Sequence, residues 1–144
     1  MEKILVSACL LGQNCKYNGK NNENKAVIAL KDRYEILPVC PECLGKLPIP
    51  RVPSERTADG TVISKNGENL TDAFLSGAQK TLKIAKENGV RLAVLKERSP
   101  SCGSLSIYDG SFCGRVIDGS GVTAEMLMKN GICVLSEERL CELL

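Results

Sequence analysis

Three times in this chain a short apolar run leads into a turn that carries a cysteine. Ile4-Leu5-Val6 leads into Ser7-Ala8-Cys9-Leu10-Leu11-Gly12. Tyr34-Glu35-Ile36-Leu37 leads into Pro38-Val39-Cys40-Pro41-Glu42. Arg91-Leu92-Ala93-Val94-Leu95 passes through Lys96-Glu97-Arg98 into Ser99-Pro100-Ser101-Cys102-Gly103. Each run has the length and composition of a buried strand, and Ser, Pro and Gly mark the turns. In open parallel sheets, ligands bind outside the carboxyl ends of the strands. If these strands are parallel, Cys9, Cys40 and Cys102 reach one edge. Three thiolates converging there make a metal or cluster site.

The intervening segments suit that arrangement. Residues 26–32 allow a short helix. Leu70 to Asn88 is the strongest helix, with Asn69 or Thr71 to cap it and Gly89 to stop it. Its apolar stripe is Phe74, Leu75, Ala78, Leu82 and Ala85. Thr123 caps a helix through Lys129, Ile132 to Leu135 is a fourth strand, and Ser136 caps a final helix. Asp59-Gly60 and Asn66-Gly67 around Thr61-Val62-Ile63 predict a hairpin or lid. Residues 38–56 hold five prolines, Pro38, Pro41, Pro48, Pro50 and Pro53, and read as an ordered loop rather than a helix or central strand. Gly114 to Gly121 reads as loop. The β-α-β-α order predicts an α/β fold: a three-layer sandwich with a small, mostly parallel sheet of four to five strands. At 144 residues the chain reads as one domain, residues 1–144.

Eight cysteines and no histidine narrow the chemistry. Without His there is no His-based triad, His-ligated zinc or His-ligated haem. A metal held mainly by sulfur is zinc or iron–sulfur. The first apolar run is too short for a signal peptide, and no stretch approaches a membrane span. Reduced thiols in a cytoplasmic protein follow. The net charge of +2 gives no support to a nucleic-acid patch, and 3% aromatics with no Trp are too few for a stacking platform.

The cysteines divide. Cys133 in a strand, Cys141 in the last helix and Cys113 in a turn read as core filler. Cys40 and Cys43 form a Cys-x-x-Cys pair, which is half a zinc site or a redox pair. The flanking prolines speak against the helix N-terminus that a thioredoxin-like role needs. Cys15 is near enough to Cys9 to join a site. From spacing alone, three strand-end cysteines leave one coordination position open. An iron of a [4Fe–4S] cluster without a protein ligand would bind substrate as a Lewis acid, while structural zinc remains the alternative.

The motifs resemble a known family. They are Ser7-Ala8-Cys9-Leu10-Leu11-Gly12 with Cys15-Lys16-Tyr17-Asn18-Gly19, Pro38-Val39-Cys40-Pro41-Glu42 running on to Leu47-Pro48-Ile49-Pro50-Arg51, Leu95-Lys96 with Ser99-Pro100-Ser101-Cys102-Gly103, and Tyr108-Asp109-Gly110-Ser111-Phe112. Together they resemble the thiouracil desulfurases, long grouped as domain of unknown function 523. The resemblance covers nearly the whole chain. It implies a [4Fe–4S] cluster held by Cys9, Cys40 and Cys102, with an open iron for the thiocarbonyl sulfur of a thiolated pyrimidine. It implies Glu42 as proton carrier, Ser101 near the substrate, and release of hydrosulfide with no net electron transfer. The chain departs from the family's usual residues at Asn18, Cys43, Lys46 and Cys113. Arg51 reads as a structural partner of Glu42 or Glu55. A metal-binding or sensor module without catalysis, holding structural zinc or an iron–sulfur centre with four protein ligands, is the alternative from another class. A Cys40–Cys43 thiol oxidoreductase is a third.

Overall fold

A computed structural model describes residues 1–143. Its elements are β1 (Lys3–Ser7), α1 (Lys25–Ile28), β2 (Glu35–Val39), α2 (Pro41–Leu44), β3 (Ser54–Arg56), β4 (Val62–Ser64), α3 (Thr71–Glu87), β5 (Leu92–Leu95), β6 (Ser106–Tyr108), β7 (Val116–Asp118), α4 (Val122–Lys129) and β8 (Cys133–Ser136). Short 3-10 segments, Ala8–Leu11, Ala29–Asp32 and Glu137–Leu143, follow β1, α1 and β8.

The four expected strands form one sheet in the order β2-β1-β5-β8, every pair parallel. Alternation along the strands sends side chains to two faces. Leu5, Ala93, Leu95 and Val134 pack with Ala85 of α3 and Ala124 and Leu127 of α4. Ile4, Val6, Leu92, Val94 and Leu135 pack with Leu10, Val27 and Leu30, and with Leu140 and Leu143. The sheet is therefore covered on both sides, which is why β5 is apolar and buried throughout. This is the expected α/β three-layer sandwich. No helix among the described residues is long and apolar enough to cross a membrane.

Several local expectations are corrected. Pro41 does not exclude a helix: it is the first residue of α2, with Cys40 as N-cap. Proline suits that position because its missing N–H would be unpaired there and its φ is already helical. The proline-rich segment also contributes β3, which pairs antiparallel with β4 in the expected hairpin. The stretch from Gly114 to Gly121 contains β7, which pairs with β6. Asn69, not Thr71, bonds the first turn of α3, its side chain accepting from the Thr71 N–H at 3.0 Å. Leu75 is exposed, outside the buried stripe of that helix. Gly121 is the N-cap of α4, and Thr123 lies buried inside the helix. The last helix is a 3-10 segment, kinked at Arg139.

Cys133 and Cys141 are not core filler; both are exposed. Cys133 opens the edge strand β8, whose next three residues take the buried places. Near Cys141, Leu140 and Leu143 turn inward instead. Cys113 is not core filler either: it is exposed in its turn.

Two glycines set how α2 sits. Gly45 at its end and Gly77 in the middle of α3 face each other so closely that a Cβ on either would collide with backbone of the other helix, Pro41 in one case and Ala73 in the other. Only glycine permits that approach.

Candidate active site

The parallel register carries β1 and β2 to the same edge, with Ser7 opposite Val39. Cys9 follows β1 in the first 3-10 turn and Cys40 follows β2 as N-cap of α2. Cys102 follows β5, in a loop held from three sides. The Ser99 hydroxyl accepts from the Ser101 and Cys102 N–H groups, both at 3.1 Å. The first amides of α4 bond the Pro100 and Ser101 carbonyls at 2.9–3.1 Å. The buried Glu97 carboxylate accepts from the Ser104 N–H at 2.8 Å and from its hydroxyl at 3.2 Å. Along the sequence Glu97 is only the middle residue of Lys96-Glu97-Arg98 after β5. Its role depends on chain that returns to it later, so no local signal reports it.

All three cysteines line one cavity of about 540 Å³, together with Cys15, Glu42, Arg51 and Ser101. That volume lies in the range of small-molecule sites. Cys15 lies between Cys9 and Cys40 and hydrogen-bonds to both. Its bonds hold Cys9 down to about 7 and Cys40 down to about 5, against burial, which raises both. Asn22 adds a hydrogen bond to Cys9 at 3.5 Å, and the Cys43 backbone and thiol add theirs to Cys40. Donating to both neighbours pushes the Cys15 thiol well up. Burial pushes Cys102 up to about 12, against a hydrogen bond from Ser7. The thiolate is the form that binds metal.

The donor set suits an iron–sulfur cluster: sulfur only, clustered in one cavity and partly ionised. No group of three His, Cys, Asp or Glu side chains among the described residues closes around a single metal ion. Sulfurs that each bind a different iron stand farther apart than the ligands of one zinc.

Glu42 lies in the first turn of α2. Its carboxylate accepts from the Arg51 guanidinium at 2.6 Å, and the two side chains keep 19% and 7% of their surface exposed, respectively. Desolvation pushes the Glu42 carboxyl up, against Arg51, which pulls it down. Of the two partners considered for Arg51, the structure pairs it with Glu42. Arg51 also donates to the Cys15 carbonyl at 2.9 Å and the Pro48 carbonyl at 3.1 Å, and so ties three segments of the wall together. Glu55 instead accepts from the Gly110 and Phe112 N–H groups at 3.0 and 3.1 Å, which fixes the loop after β6. Ser101 is buried, and its hydroxyl shares a hydrogen bond with Thr123 at 2.8 Å.

A family model described as 2-thiouracil desulfurase matches residues 4–139. This chain belongs to the 2-thiouracil desulfurase family. A relative in Bacillus subtilis (strain 168), the uncharacterized protein YbbK, is 42% identical over 98% of this chain and 99% of its own. A solved structure described as a [4Fe-4S]-dependent thiouracil desulfidase, TudS, is 43% identical and superposes with a TM-score of 0.93, covering 99% of this chain and 95% of that one. Family membership and this fold likeness account for the sulfur-lined cavity at the strand ends.

Proposed function

We propose that this chain desulfurates a thiolated pyrimidine of the 2-thiouracil type, with Cys9, Cys40 and Cys102 holding a [4Fe–4S] cluster. The observation that carries the reading is the meeting of those three thiols in one cavity with a half-dry carboxyl, Glu42, in a chain of the 2-thiouracil desulfurase family. When bound, the cluster supplies a soft, Lewis-acidic iron without a protein ligand, suited to a thiocarbonyl sulfur.

The protein's own groups do the rest. Glu42 takes a proton from the attacking water and returns one to the departing sulfur. Burial raises its pKa, the direction that favours both transfers. Arg51 fixes the direction of that carboxyl through its 2.6 Å contact. Ser101, turned by Thr123, forms part of the polar wall beside the ring. Overall, one water is consumed, the thiocarbonyl becomes a carbonyl, and hydrosulfide leaves with a proton. No electrons are transferred. The cavity accepts a free base, and a net charge of +2 offers little to a tRNA backbone. We read residues 1–144 as one domain working in the reducing cytoplasm, where its thiols persist.

The test is anaerobic reconstitution followed by turnover of free 2-thiouracil, with thiolated tRNA alongside. Cys9→Ala, Cys40→Ala and Cys102→Ala lose the cluster. Glu42→Gln keeps a full cluster, and its turnover falls by roughly two to four orders of magnitude. Near-normal turnover in Glu42→Gln removes Glu42 from the mechanism. The four-ligand centre of a non-catalytic module is favoured by one observation, the Cys15 thiol on the same wall. It requires Cys15→Ala to lose the metal, whereas the desulfurase reading has Cys15→Ala keep it.

A further inference from the structure

Cys43 has no part in the reaction above. It does not line the cavity and is half-buried. It stands three residues after Cys40 on the single turn of α2. Its thiol and its backbone N–H both bond the Cys40 sulfur. Positions three apart on a helical turn fall within the Cα separation of about 4.4–6.8 Å that disulfides span. The spacing puts the two sulfurs within reach of a bridge.

We propose that Cys40 and Cys43 form a site for thiol–disulfide exchange in the cluster-free chain, reacting with small-molecule disulfides to close a reversible internal disulfide. The Cys40 sulfur attacks one sulfur of the small disulfide and expels a thiolate. The Cys43 sulfur, its proton passing to water, then displaces the second thiolate from the mixed disulfide. Two protein thiols are oxidised, the small disulfide is reduced to two thiols, and electrons balance. Cys15 also touches Cys40, but it is buried against Cys9 as well. Cys43 is open on one side and belongs to the same turn as its partner. The consequence for the cluster rests on the reading of Cys40 as a ligand: the bridge withdraws that sulfur and blocks loading, and reduction restores it.

The sequence provides a clean readout. Cleavage after Arg33 and Lys46 releases residues 34–46, which contain Cys40 and Cys43 and no other cysteine. The full-length, cluster-free, reduced chain is treated with hydroxyethyl disulfide, its remaining thiols are alkylated, and it is digested with trypsin. The peptide is expected unalkylated and two hydrogen masses below its reduced form. Cys43→Ala is expected to leave the reagent attached to Cys40. In parallel, the oxidised chain should lose iron and sulfide uptake, and dithiothreitol should recover it. Two alkylated cysteines in the peptide, or a cross-link from it to the Cys15 peptide, overturn the proposal. An internal disulfide with undiminished iron uptake overturns the block on loading and the ligand role of Cys40, while the exchange chemistry stands.

Discussion

Replacing Arg51 with Met tests how the cavity wall is held. Methionine keeps most of the length of the stem and removes the guanidinium. The change leaves the Glu42 carboxylate without its 2.6 Å partner and the Cys15 carbonyl without its 2.9 Å donor. Removing one partner of a fully buried ion pair costs about 3–5 kcal/mol. Glu42 keeps 19% of its side chain exposed, so water recovers part of that loss. A cost of about 2–4 kcal/mol follows after that discount. With a urea slope of roughly 2 kcal/mol/M, the unfolding midpoint should fall by about 1–2 M. The measurement uses the reduced, cluster-free chain, because a bound cofactor breaks two-state behaviour. Glu42→Gln and the double variant complete a cycle. Since the main loss in Arg51→Met is the stranded carboxylate, adding Glu42→Gln should recover much of it. A coupling energy below about 0.5 kcal/mol would refute the view that the pair holds the wall.

Other consequences are as direct. Gly77→Ala pushes α2 away from α3 at Pro41, next to Cys40; overpacking of this kind should destabilise the chain by about 1–3 kcal/mol in urea unfolding. The same variant should bind less iron on reconstitution, whereas Gly67→Ala, strained by its φ of +84° but meeting nothing within 4 Å, should lose stability and still load normally. Asp59 accepts hydrogen bonds from Thr57 and Thr61, which hold its pKa down to about 2 from 3.8. Its folded pKa is depressed, so its contribution is present above pH 3.8 and lost as pH falls toward about 2. The melting difference between the natural chain and Asp59→Asn should therefore be flat above that window and vanish through it; a difference that persists at the acid end would contradict this.

The sheet was readable because its strands are short apolar runs with turn residues at their ends, and burial on both faces demands that composition. Parallel pairing then placed Cys9, Cys40 and Cys102 at one edge with no further information. What the sequence hid depends on position in space. Pro41 reads as a breaker unless one knows that a helix begins there. Cys133 reads as apolar filler until the order of strands makes β8 an edge. Thr123 reads as a cap, yet its hydroxyl belongs to Ser101, from a loop twenty-two residues earlier. Arg51 had two carboxylates in reach along the chain, Glu42 and Glu55, and only the fold chose Glu42. The closeness of Cys15 to both Cys9 and Cys40 follows from the path of the loop after β1, which spacing does not determine.

The parallel order of the sheet has a consequence for synthesis. Cys9, Cys40 and Cys102 leave the ribosome in that order, with 92 residues between the first and the last. The loop bearing Cys102 is held by α4, which emerges later still. A nascent chain therefore shows Cys9 and Cys40 long before it can present Cys102, and parallel pairing over such separations is slow. On the reading of Cys9, Cys40 and Cys102 as the ligands, the site is complete only once β5 has entered the sheet beside β1.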